Sequence, residues 1–152
     1  MQVILRLIAI SVSILFITGC VSHKIIPLHN IDDHTIILEL SEQQVKEAIH
    51  EGIEMAEWTI ENEAPGKILA TYNRRVHTIT VNIRYTEKNY SINYAYSKNM
   101  KVHCTDNHQG KMSLTNWPGE TCGGTRPTHI HRAYNKWVEN LDSEISAALS
   151  SN

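Results

Sequence analysis

Between residues 67 and 97 the chain alternates apolar and polar positions in three runs, 67–73, 76–85 and 90–97, and this alternation constrains the fold more than any other feature. In the second run His77, Ile79, Val81, Ile83 and Tyr85 fall on one face, with Val76, Thr78, Thr80, Asn82 and Arg84 on the other. In the third, Tyr90, Ile92, Tyr94 and Tyr96 oppose Ser91, Asn93, Ala95 and Ser97. A period of two is the signature of a strand buried on one side only. Connections at 73–75 and 86–89 are short enough to make the strands antiparallel neighbours. The expectation is a three-stranded meander with one apolar and one polar face. Residues 34–40 (HTIILEL), rich in β-branched side chains, are candidates for a fourth short strand.

Helical periods flank the meander. Ser41-Glu42-Gln43-Gln44 has capping-box form. Val45, Ala48, Ile49, Gly52, Ile53, Ala56 and Ile60 then trace one apolar stripe. Trp58 stands roughly 200° from the centre of that stripe at about 100° per residue, so either the helix stops before it or the ring lies outside the main core. Pro65-Gly66 ends the segment. A second helix is expected from about residue 129 to 149, capped by Thr128, with Ile130, Tyr134, Trp137, Leu141, Ile145 and Ala148 on its buried stripe. The segment 99–128, rich in Gly and Pro, reads as an irregular insertion. The fold class is therefore α+β in two layers, with two helices covering one face of the meander.

The first twenty residues are of another kind. Arg6 is the only charge, and an apolar run of about a dozen residues ends at Ile17-Thr18-Gly19-Cys20. The run is shorter than the roughly twenty residues that span a bilayer. It matches a secretion signal followed by the lipobox of bacterial lipoproteins, in which cleavage precedes the cysteine and that cysteine is acylated. Residues 1–19 are the expected signal peptide, Cys20 the lipid attachment site, 20–33 a tether and 34–152 the domain. Val21 is not the aspartate that retains such proteins in the inner membrane, which points to the periplasmic face of the outer membrane. Of 152 residues 133 then remain, and loss of Arg6 takes the net charge from −2 to −3. That balance argues against a nucleic-acid binder.

Three cysteines occur in all. With Cys20 assigned to lipid, Cys104 and Cys122 make an even pair, and in an oxidising compartment a disulfide is the default. Closing a loop of that size is worth about 3 kcal/mol on chain-entropy grounds. The alternative is a metal or small-molecule site built from His103, His108, His129 and His131. Its spacing is poor: there is no Cys-x-x-Cys pair, and His129 and His131 diverge on a helix. Were that stretch extended, the two rings would share a face. His50-Glu51-Gly52-Ile53-Glu54 resembles half of a zincin helix, with glutamate in the place of the second histidine.

Trp58-Thr59-Ile60, Pro65-Gly66-Lys67-Ile68, the alternation from His77 to Tyr85, Tyr90-Ser91-Ile92-Asn93-Tyr94 and Ser97-Lys98-Asn99-Met100 are followed by Ile130-His131, Tyr134-Asn135-Lys136-Trp137-Val138 and Asn140-Leu141-Asp142. In this order they resemble a family of small Gram-negative bacterial lipoproteins, over about residues 41–148 apart from the long segment. The resemblance implies a lipoprotein fold and no particular activity. The chain departs from the family pattern at Glu57, where a glycine often precedes the tryptophan, and after Met100, where its segment is longer and carries both domain cysteines.

No nucleophile elbow, phosphate loop or dinucleotide fingerprint is present, so the chain is read as non-enzymatic and without a cofactor. Tyr134 and Trp137 are expected in the core, with His131 and Asn135 on one flank holding the long segment through polar contacts. The functional expectation is a membrane-anchored module that binds or scaffolds an envelope component. Its expected contact surfaces are the polar sheet face (Thr78, Thr80, Asn82, Arg84, Ser91, Asn93) and the stapled segment with Trp117. The partner expected from sequence is the lipid bilayer through Cys20.

Overall fold

A computed structural model describes residues 25–105, 112–115, 122 and 127–152. The elements run β1 (Ile25–Pro27), β2 (Ile31–Thr35), α1 (Glu42–Met55), β3 (Thr59–Ala64), β4 (Lys67–Arg74), β5 (His77–Tyr85), β6 (Asn89–Lys98), β7 (Val102–Thr105), β8 (Met112–Thr115), β9 (His129–His131) and α2 (Ala133–Ser151). They form an α+β fold with two antiparallel sheets, five-stranded in the order β2-β6-β5-β4-β3 and four-stranded in the order β1-β9-β7-β8.

The meander β4-β5-β6 lies where the alternation placed it, but it is the centre of a larger sheet. Ile79, Val81, Ile83, Ile92 and Ile68 are fully buried on its inner face against Val45, Ile49 and Ile53 of α1 and Val138, Leu141 and Ile145 of α2. Each such side chain contributes on the order of 1.5–3 kcal/mol relative to exposure. The two helices approach closely through Gly52, where an added Cβ would lie 2.5 Å from the Ile145 Cα.

Helix α1 starts as its sequence dictates: the Gln44 N–H donates to Ser41 Oγ at 3.3 Å, and the Ser41 N–H donates to Gln44 Oε1 at 3.0 Å. It stops at Met55. The Trp58 N–H donates to the Ile53 carbonyl at 2.9 Å and the Glu57 N–H to the Glu54 carbonyl at 3.0 Å, with Glu57 in the left-handed region at φ 63°. That is a Schellman cap, whose left-handed residue is ordinarily glycine. Glutamate there hides the stop in the sequence. The turn swings Trp58 back into the core, 5% exposed, and Ile60 belongs to β3 rather than to the helical stripe.

Several boundaries differ from expectation. Residues 25–27 and 31–35 are strands rather than tether, so the stretch from Cys20 to the first strand is five residues, 20–24, instead of the fourteen of 20–33. The short strand expected at 34–40 does not form as such: β2, paired with β6, covers 31–35, and residues 36–40 lie outside any strand. The segment 99–128 is not wholly irregular, since it holds β7 and β8. Helix α2 begins at Ala133, and residues 129–131 are strand β9, so Thr128 caps nothing; its N–H donates instead to the His103 carbonyl at 2.9 Å. These strands are three to five residues long, too short for a period to show.

A bulge changes β6. Val81 pairs with Tyr94 and Thr80 with Tyr96, which leaves Ala95 as the extra residue. Beyond it the faces exchange: Ser97 turns inward, 5% exposed, and Tyr96 turns to the outer face. From there its hydroxyl donates to Glu61 Oε2 on β3 at 2.8 Å, a reach that crosses β5 and β4. Beneath that reach Thr71 and Thr80 are 3% and 0% exposed on a face that neither described helix covers, and their hydroxyls bond to each other at 2.6 Å.

Candidate functional site

The small sheet turns Val102, Cys104 and Ile130 inward, 4%, 7% and 0% exposed. By the period of two, its other side presents histidines. His103 pairs directly with His129 across β7 and β9, ring centroids 6.3 Å apart, and His131 lies two residues along the same face. The His131 ring lies nearly parallel to His77 at 6.3 Å. Four imidazoles therefore form one file, joining the small sheet to the first residue of β5. The sequence shows two of these as an extended-chain option, whereas His77 enters through tertiary packing alone. His77 is engaged through Nδ1 with the Asn99 carbonyl at 2.7 Å. Both ring nitrogens of His103 are closed to solvent and meet no hydrogen-bond partner among the described residues. His108 lies outside the described residues. Among the described residues no group of three or more His, Cys, Asp or Glu side chains is arranged to hold a metal ion.

Cys104 and Cys122 are joined in a disulfide, with Cα atoms 5.4 Å apart. Of the two residues expected to hold the long segment, His131 reaches it through its backbone, the His131 N–H donating to the Lys101 carbonyl at 2.9 Å, whereas the partners of Asn135 among the described residues lie at the other end of the chain. Asn135 Oδ1 accepts from the His29 N–H at 3.1 Å and its Nδ2 donates to the Pro27 carbonyl at 3.0 Å, so α2 clamps the end of β1. His131 Nδ1 accepts from the Ala133 N–H at 3.3 Å, at the start of its own helix.

A second polar cluster was not legible in the sequence. His34 Nδ1 lies 2.8 Å from Asp142 Oδ1, the Tyr90 hydroxyl donates to the same oxygen at 2.7 Å, and that hydroxyl lies 2.9 Å from His34 Nδ1. The His34 and Tyr90 rings stack at 4.7 Å. These residues are 56 and 52 positions apart in sequence, so no local pattern announces them. Burial, reinforced by the Asp142 carboxylate, pushes the Tyr90 phenol far above its ordinary value of 10, which keeps it a donor. A histidine held through Nδ1 by a carboxylate is oriented as a general base is. Among the described residues no hydroxyl or thiol bonds to its Nε2. The zincin-like stretch is likewise divided: His50 and Lys46 converge on Glu63, at 2.9 and 2.8 Å, while Glu51 and Glu54 are exposed. The Lys46 hydrogen bond holds the Glu63 carboxyl below the usual range.

A concavity of about 500 Å³ lies where α1 ends beside β4 and α2. Trp58 and Tyr72 lie 5.4 Å apart and Tyr72 and Trp137 5.1 Å apart along it, and Arg74, Lys136 and Asn140 add polar walls. Trp137 was expected on the buried stripe but is only partly buried, which leaves its ring edge to this groove. Trp117 lies outside the described residues. No protein-family model, curated protein or solved structure matches the chain.

Proposed function

We propose that this protein is a lipid-anchored lipoprotein of the bacterial envelope, held through acylated Cys20 at the periplasmic face of the outer membrane, whose domain binds or scaffolds another envelope component without catalysing a reaction. The observation that carries the reading is the lipobox Ile17-Thr18-Gly19-Cys20 set five residues ahead of the first described strand, so that cleavage before Cys20 leaves every described element in the chain. Among the described residues no helix is long and apolar enough to cross a membrane, and acylation of Cys20 supplies the attachment in this reading. The contact surfaces in keeping with it are the groove at Trp58, Tyr72 and Trp137 and the helix-free sheet face of Thr78, Asn82, Arg84, Ser91 and Asn93. Labelled palmitate is expected to enter the wild-type protein and not Cys20→Ser, and crosslinking in the intact envelope is expected to capture a reproducible partner. Equal labelling of the two proteins removes the anchor, and absence of any captured partner removes the scaffold.

One observation favours a second reading, a metal or small-molecule site at the histidine file: the two ring nitrogens of His103 opposite His129, buried and without a partner among the described residues. Buried polar atoms ordinarily have partners. Stoichiometric zinc or copper in purified protein, lost in His103→Ala, is its expected signature.

A further inference from the structure

The first described residue, Ile25, lies opposite His131 on β9. The His131 N–H donates to the Lys101 carbonyl at 2.9 Å, and its ring faces His77. His77 pairs with Arg74 across the β4–β5 turn and contacts the Asn99 carbonyl, while Asn99 Nδ2 donates to the Val76 carbonyl at 2.6 Å. The chain thus enters the fold at the end of the molecule where β4 and β6 finish and β5 and β7 begin. Arg74, Arg75, Lys98, Lys101 and Arg132 belong to the strand ends and turns at this end and are exposed, as is Val76 at 66%. Glu57 stands close enough to Arg74 to be felt electrostatically and marks one rim of this surface. The asymmetry extends along the chain: residues 67–101 hold seven Lys or Arg and one Glu, while residues 31–66 hold ten Asp or Glu and one Lys. The opposite end of the sheet carries Glu87 and the loop of Glu39, joined by the Ile36 N–H to the Lys88 carbonyl at 2.8 Å.

We propose that the tip of Arg74, Arg75, Val76, Lys98, Lys101 and Arg132 binds the anionic phospholipid headgroups of the bilayer that holds the Cys20 anchor. The inference rests on the lipid-anchor reading above. Five Cα steps from Cys20 to Ile25 reach about 18 Å at full extension. This full extension, about two Debye lengths at physiological ionic strength, is the upper limit of the separation, and a slack tether lets the entry end come within one Debye length, where the surface field acts. A basic residue close to an anionic surface contributes about fivefold in partitioning. An exposed valine among the arginines adds an apolar contact at headgroup depth. The five charges favour phosphodiester headgroups over a zwitterionic surface.

The test uses the full-length acylated protein on phosphatidylcholine vesicles with or without about one-third phosphatidylglycerol. A donor dye is placed at Asn73→Cys beside the tip or at Glu87→Cys at the far end, with an acceptor on lipid headgroups. On anionic vesicles energy transfer from position 73 is expected to exceed that from 87 at least twofold. The excess is expected to vanish without phosphatidylglycerol, in 1 M salt, and in R74E/R75E/K98E/K101E. Equal transfer from the two positions, or an excess indifferent to salt and lipid charge, in protein that floats with the vesicles overturns the proposal; the salt and lipid arms decide even if the charge-reversed variant fails to fold. Protein that does not float and carries no acyl mass on Cys20 overturns the anchor reading itself.

Discussion

Gly52 on α1 and Ile145 on α2 meet backbone to backbone: a Cβ on the glycine would stand 2.5 Å from the Ile145 Cα and 2.6 Å from its amide nitrogen. The contact sets how closely the two helices lie over the sheet. Backbone cannot retreat as a side chain can, so Gly52→Ala must push the helices apart. The expected cost is about 1–3 kcal/mol, as for other overpacked cores, seen as a lowered midpoint in urea with an unchanged slope.

Glu57 occupies the left-handed position of the Schellman cap at φ 63°. A non-glycine residue is strained there, and its side chain is exposed. Glu57→Gly is expected to raise stability by about 0.5–1 kcal/mol in thermal unfolding, although glycine is ordinarily destabilising elsewhere. A lower midpoint would show that the Glu57 charge beside Arg74 matters more than its backbone.

The Thr71 and Thr80 hydroxyls satisfy each other at 2.6 Å under Tyr96. Replacing either by valine strands the other hydroxyl out of water, at a cost of about 1–3 kcal/mol. Replacing both removes donor and acceptor together and is expected to be nearly neutral. A double-mutant cycle measures the difference, and additive losses would exclude the pairing as its source.

Tyr90 makes stability depend on alkaline pH. Its folded pKa is raised by burial first and by the Asp142 hydrogen bond second, from an ordinary 10. Above pH 10 the unfolded chain loses this proton while the folded one keeps it, so the unfolded state binds fewer protons and stability falls as pH rises. Below pH 10 the contribution is complete. Each unit above it is expected to cost up to about 1.4 kcal/mol from this group. Tyr94, also raised by burial, adds in the same direction, so Tyr90→Phe is expected to flatten the alkaline slope without abolishing it. An unchanged slope in Tyr90→Phe would place the titration elsewhere.

Much of the fold was legible in the sequence because its signals are local. Ser41 and Gln44 announce a capping box through a three-residue spacing, and the residues between His77 and Tyr85 reveal their buried face by alternation. Cys104 and Cys122 were paired by counting, and the disulfide is present. The candidate site was far less legible. Asn135 was singled out, but its partners proved to be His29 and Pro27, more than 100 positions away. His34, Tyr90 and Asp142 lie on three elements with no pattern that links them.

By itself the sequence determined the α+β class, the central meander, the two amphipathic helices and the cysteine pairing, since each depends on a period or a parity that neighbouring residues carry. Tertiary structure decided the rest. Strands of three to five residues have no readable period, so β1, β2 and β9 exist because a partner strand satisfies their backbone groups, and that partner cannot be read from the strand alone. The same long-range pairing drew residues 25–33 out of the expected tether, turned Tyr96 outward at the bulge, and gathered four histidines and a ring of basic side chains at the end where the chain enters the fold.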